Sequence, residues 1–275
     1  MRKRIIYILL VILVIVTGIA LYIYLSTYFE DAAAAKEYNL YGSKLYLKSA
    51  EELDLSDTVV EVDQDITTET ETVYDEYVLT QKGINWNAFK RKNQDFIGII
   101  SIPELNIWYP IVQNSEDNYS YYLTHTYSGD ENASGSIFLD YMFSKDLSDN
   151  HSIIFGHNMK NLTMFGSLRT LLDSKYTNDL YVYIYTEERV LIYKIYAAYL
   201  TKPDSADYYA QLPGTNYSDY YTHAIESAQY LNADEQVKQA YTKRNNLLTL
   251  STCHSSDHSD YTVVQSILVE RINIK

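Results

Sequence analysis

From Ile5 to Leu25 the chain reads IIYILLVILVIVTGIALYIYL without one charged position. A helix rises about 1.5 Å per residue, so roughly 20 such residues cross the hydrocarbon of a bilayer, and the run predicts a membrane span. It is longer than the roughly 7 to 15 apolar residues of a cleavable signal. Thr17, Gly18 and Ala20 are small enough for cleavage, but a retained anchor is the expectation. The pattern then changes. Ala32 to Ala35 favour helix, and Ser49 to Glu76 are crowded with Glu, Asp and Thr and poor in large apolar groups, so residues 26–80 read as a spacer, partly helical or disordered. From Trp86 the stretch NWNAFKRKNQDFIGIISIPELNIWYPIVQ gives a short amphipathic helix and then apolar runs broken at Pro103 and Pro110. Further strand-like runs are Gly135 to Leu139, Ser152 to Phe155, Leu180 to Tyr185, Val190 to Leu200, Leu247 to Ser251 and Tyr261 to Ile272. Short strands at this density predict a mainly β barrel or sandwich. Two helical interruptions are expected, Met164 to Leu172 and a longer one from about Ser218 to Lys243, where Tyr221, Ile225, Ala228 and Leu231 recur at helical spacing.

Charge orients the span. Arg2, Lys3 and Arg4 precede it and Glu30 and Asp31 follow, so the N-terminus is expected in the cytoplasm and the rest outside. The divisions are then a tail at 1–4, an anchor at 5–25, the spacer at 26–80 and one folded domain at 81–275. Setting the three leading cations aside from the −14 of the whole chain leaves −17 on the exported part, which excludes nucleic acid as a partner because phosphate contacts need clustered Lys and Arg. Thirty tyrosines suit strands and half-exposed surfaces and point to no particular site.

Cys253 is the only cysteine, so no intrachain disulfide is available. It ends the strand-like run LLTLSTC, and a nucleophile at a strand tip projects from a rigid element. Free thiol has a pKa of about 8.5, so such a nucleophile needs a nearby base or cation. Six histidines are available. His157 is best placed, following the apolar run Ile153-Ile154-Phe155 and the turn residue Gly156; His254 adjoins the cysteine, but neighbours on an extended chain face opposite ways. His151, His223 and His258 read as surface residues in polar loops. His254, Asp257, His258 and Asp260 match no standard zinc or EF-hand spacing, so no metal or other cofactor is expected.

In order and approximate spacing, NW-x-x-F, I-x-IP-x-L-x-I-x-YP-IVQ, DN-x-x-YYL, G-x-IF-x-DY, GHNM with MFGSL, and TLSTC resemble the class B sortases, from about Trp86 to the end. An N-terminal anchor and a long helical insertion before the TLSTC strand also fit that class. The resemblance implies a sortase-type eight-stranded β-barrel with peripheral helices, in which Cys253 attacks a sorting signal after threonine and His157 serves as acid and base. Implied substrate-lining residues are Asn118, Leu123 and Ser251. Implied partners are a surface protein bearing the sorting signal and an amine on a peptidoglycan precursor. A pilus-assembling sortase, or a catalytically weak sortase fold that binds or scaffolds, are the alternatives.

One departure stands out. The family carries an arginine about ten residues past the cysteine, yet the stretch here reads Asp260-Tyr261-Thr262-Val263-Val264-Gln265, and no arginine occurs between Cys253 and Arg271. The vacated position falls on Tyr261 or its neighbour. A phenol donates one neutral hydrogen bond where a guanidinium offers a charged fork.

Overall fold

Eight strands close into a barrel in the computed structural model, which describes residues 2–42, 80–173, 176–202, 217–253 and 260–274. They are β1 (Phe96–Ile102), β2 (Ile107–Val112), β3 (Ile137–Leu139), β4 (His151–Phe155), β5 (Tyr181–Tyr185), β6 (Arg189–Thr201), β8 (Leu247–Cys253) and β9 (Tyr261–Asn273). Their order is β5-β1-β2-β3-β4-β8-β9-β6, and β6 pairs back onto β5. The short β7 (Tyr230–Leu231) pairs with Ala197 and Ala198 of β6, beyond the reach of β5. The predicted barrel class is therefore the observed one.

Proline punctuation shapes the first hairpin. Pro103 opens a 3-10 turn after β1, and Asn106 closes it in the left-handed region at φ 54°, a conformation asparagine tolerates better than most residues. Pro110 lies within β2 but has no N–H to give, and the pairing of β2 with β3 begins only at Ile111.

The strands are buried along nearly their whole length because both faces are covered. Leu248, Leu250, Val264 and Leu268 point into the barrel, while Tyr196, Tyr199, Val263 and Ile267 form a second apolar layer outside it with two helices, α3 (Tyr217–Ser227) and α4 (Glu235–Thr242). The expected helical stretch thus falls into two pieces separated by β7. Many tyrosines find their use in this layer: the Tyr221 ring stacks on Tyr241 at 4.0 Å, and Tyr217 stacks on the same ring at 5.5 Å. The other predicted helix forms as a 3-10 helix over Gly166–Asp173, and the one after Asn85 forms as α2 (Trp86–Lys92), with the Asn85 side chain accepting from Ala88 N–H.

The first helix, α1 (Arg2–Tyr41), runs unbroken through the apolar segment and beyond it. The large apolar side chains described between Tyr7 and Leu25 face away from the protein. That all-round apolar surface suits lipid and makes the helix long and apolar enough to cross a membrane. Past the span the surface becomes one-sided: Ala34, Tyr38 and Tyr41, spaced at i, i+4 and i+7, are buried against the barrel. Ser49 to Glu76, His254, Asp257 and His258 lie outside the described residues.

Candidate active site

Two adjacent strands bring the candidate residues together. β4 and β8 run parallel, with Ile154 opposite Leu250 and Phe155 opposite Ser251, and Gly156 N–H donates to the Ser251 carbonyl at 3.2 Å. Two residues past that last rung on each strand lie His157 and Cys253, and neighbouring strands are about 4.8 Å apart. On its other side the Cys253 backbone pairs with Tyr261, the first residue of β9, which pairs in turn with Thr201 of β6. An ion pair between Lys202 and Asp260 at 2.6 Å flanks this corner.

The turn at Gly156 accepts no side chain. A Cβ there would strike Ile137, and would lie 2.8 Å from Cδ2 of Phe165. The loop that follows is locked: Phe165 N–H donates to the His157 carbonyl at 3.0 Å, Met164 N–H donates to the Tyr109 hydroxyl at 2.9 Å, and Arg169 donates to the Asn158 side chain at 3.0 Å and the Lys160 carbonyl at 3.1 Å. The guanidinium fork of Arg169 thus ties down the residue next to the histidine. Arg271 is ten residues along β9 from Tyr261, roughly 33 Å at the rise of an extended strand, and pairs with Leu191 near the barrel's other end.

The imidazole of His157 is partly exposed, and its Nε2 lies 2.7 Å from the Leu123 carbonyl oxygen. A carbonyl can only accept, so Nε2 carries the proton and Nδ1 is the acceptor nitrogen of the neutral ring. Beneath the ring sits Gly135, at φ +54°. A Cβ there would stand 3.0 Å from the ring's Cδ2, 2.9 Å from the Leu123 oxygen and 2.5 Å from the Tyr122 oxygen, so only glycine lets these groups approach.

Of the remaining candidates, Leu123 therefore meets His157 through its backbone. The Ser251 side chain is wholly buried. Asn118 sits in the 3-10 turn Glu116–Asn118, on the wall of an open polar cavity of about 460 Å³ shared with Lys92, Asp95 and Tyr121. His223 meets the Tyr199 ring edge-on, and His125 stacks on Tyr121 at 3.9 Å.

His151 requires a correction. It is buried on β4 rather than exposed in a loop, its Nε2 lies 2.7 Å from the Thr249 hydroxyl, and burial pushes its pKa down to about 3. The same hydroxyl donates to Gln265 Oε1 at 2.8 Å and meets Tyr220 Oη at 2.6 Å, while Gln265 Nε2 donates to Tyr199 Oη at 3.1 Å. This chain of polar groups packs under α3, four residues down β8 from Cys253. The flanking Asp149-Asn150 made His151 look solvated; a histidine among threonine, glutamine and tyrosine partners supplied by β8, β9 and α3 is invisible to local sequence. Gly135 and Tyr109 were missed for the same reason.

Comparisons with known proteins identify the family. The sortase domain family model matches residues 100–269. Sortase B of Listeria monocytogenes is 32% identical over 188 residues, covering 66% of this chain and 73% of that protein. Among solved structures, sortase B of Bacillus anthracis in complex with AAEK1 is 27% identical, with a TM-score of 0.54 over 68% of this chain and 85% of that one. A class B sortase of Streptococcus pyogenes involved in pilus biogenesis shares the fold, at 23% identity and a TM-score of 0.56 over 68% of this chain and 99% of that one. With the family model spanning well over half its length, the chain belongs to the sortase family of cysteine transpeptidases, in class B.

Proposed function

We propose that this chain is a membrane-anchored sortase that cuts a surface-protein sorting signal after threonine, with Cys253 as nucleophile and His157 as its proton partner. The observation that carries the reading is the parallel register of β4 and β8, which sets the His157 turn and the Cys253 backbone at neighbouring strand tips. Nδ1 of the neutral His157 ring takes the Cys253 thiol proton, giving imidazolium and thiolate, and the thiolate adds to the threonine carbonyl carbon. As the C–N bond breaks, imidazolium His157 gives its proton to the departing amine, leaving a thioester. The incoming amine then adds to that thioester, His157 takes its proton, and the C–S bond breaks to restore thiolate and a new amide.

Tyr261 offers one hydroxyl in place of the family arginine, so the developing oxyanion is held by a neutral donor. Asn118 and Leu123 line the approach of the sorting signal, with Ser251 supporting the strand beneath. The acceptor is an amine on a peptidoglycan precursor. Residues 5–25 of α1 span the membrane with Arg2, Lys3 and Arg4 in the cytoplasm, and residues 81–275 form the exported catalytic domain.

Mixing the detergent-solubilised full chain with labelled sorting-signal peptides tests this by mass spectrometry. A thioacyl adduct is expected with the native chain and none with Cys253→Ala; cleavage surviving in that variant would defeat the mechanism. Absence of any adduct from the native chain would favour a binding or scaffolding role. Acyl transfer to a protein lysine in preference to a cell-wall amine would favour pilus assembly.

A further inference from the structure

We propose that the extramembrane end of α1 is a positioning element for the candidate catalytic histidine, with Tyr38 acting on His157 through Gly135. The inference rests on the proton-transfer role assigned to His157 above. Tyr38 is buried, and its hydroxyl donates to the Gly135 carbonyl oxygen at 2.5 Å, 97 residues away in sequence. Gly135 is the residue at which an added Cβ would crowd the imidazole and the Leu123 oxygen that accepts the Nε2 proton. One glycine is therefore held by the anchor helix through its carbonyl and lies where any Cβ would press on both halves of the histidine's hydrogen bond.

The rest of the docking supports the same loop. Glu37 Oε1 accepts from Ser128 N–H at 2.9 Å, Tyr41 Oη meets the Ser128 hydroxyl at 3.1 Å, and Asn132 Nδ2 donates to the Glu30 carbonyl at 3.2 Å. Within the loop, Gly135 N–H donates to the Asn132 carbonyl at 3.1 Å and Ser136 N–H to the Tyr122 carbonyl at 2.9 Å. The segment 128–136 is thus pinned to α1 at Ser128, Asn132 and Gly135, and to the Tyr121–Leu123 turn on its far side. Four aromatic rings fix the helix in place: Tyr38 lies edge-on to Tyr109 at 5.2 Å, and Tyr41 lies edge-on to Tyr127 at 4.8 Å. A helix that served only as a tether would need none of these contacts with the loop behind the imidazole.

The full chain in detergent micelles, with ¹⁵N-labelled histidine, reports the effect directly. Native His157 is expected as the Nε2–H tautomer with a slowly exchanging proton. Tyr38→Phe keeps the ring but removes the bond to Gly135. It should speed that exchange, move the ring toward a mixture of tautomers, and lower kcat for peptide cleavage about five- to tenfold with KM nearly unchanged. Tyr41→Phe loses its contacts to Glu37 and Ser128 but none to Gly135, and should leave the histidine signals native. Unchanged tautomer and exchange in Tyr38→Phe would overturn the proposal, even if kcat fell. If no chain forms an acyl adduct, the catalytic reading fails while the histidine signals still decide whether Tyr38 sets the ring.

Discussion

Tyr261, proposed above to stand in for the family's arginine, opposes Cys253 across the last rung of β8 and β9. Its ring also packs beside the tyrosine-rich layer under α3 and α4, so the side chain has a structural use as well as a hydroxyl to offer. An oxyanion donor is commonly worth about 2.7 to 4 kcal/mol, and a charged fork exceeds a phenol. Tyr261→Arg should accordingly raise kcat for peptide cleavage by about tenfold or more; steady-state kinetics showing equal or slower turnover would mean that the oxyanion is held from elsewhere. At this scale the two candidate catalytic residues were legible, because each ends an apolar run and sits in a diagnostic block. His151, Gly135 and Tyr38 were not, because their roles depend on partners about 100 residues away.

Elements show the same division. The six strands given bounds from their Val, Ile and Tyr content lie within two residues of those observed, whereas the break expected at Pro110 does not occur, because Pro110 lies inside β2. The helical stretch before β8 was readable as helical, but its interruption was not: Tyr230 and Leu231 form β7 because β6 offers Ala197 and Ala198 as partners, and pairing with an existing strand overrides local preference. The restart at α4 is firmly fixed. Asp234 caps it by accepting from Val237 N–H at 3.1 Å and also reaches Lys194 at 2.5 Å. Lys194 is 1% exposed on β6, and a buried ammonium persists only when paired; Asp179, held by Lys194 below the usual carboxylate range, is its second partner at 2.8 Å. Asp234→Ala removes a cap and one of two counterions, while Asp179 still neutralises the lysine. A loss of about 1 to 3 kcal/mol is expected in urea unfolding, more than a cap alone accounts for; a change under about 0.5 kcal/mol would show that solvent already screens the pair.

For the molecule as a whole, the packing of α3 over the sheet traps polar groups between β4, β8, β9 and the helix, and these make stability depend on pH. Folded His151 stays neutral down to about 3, whereas the unfolded residue takes a proton near 6.5. Between those values the unfolded state binds more protons, so stability falls as pH drops from about 6.5 towards 3. Melting temperatures followed across that range should decline, and His151→Gln, which keeps a hydrogen-bonding group without a titrating one, should flatten the decline. An identical slope in the variant would assign the acid sensitivity to other groups. Closure itself was legible only through family resemblance, since strand count and spacing left barrel and sandwich equally open.

The absence of any break in α1 has a mechanical outcome. On the topology proposed above, sixteen residues separate Leu25 at the lipid boundary from Tyr41 on the barrel, about 24 Å of rigid rod. Transmembrane helices lean to match the thickness of the bilayer around them. A rod with no joint passes that lean undiminished to whatever is bolted to its end, so on that topology the lipids surrounding this chain set the direction in which the corner holding His157 and Cys253 is aimed.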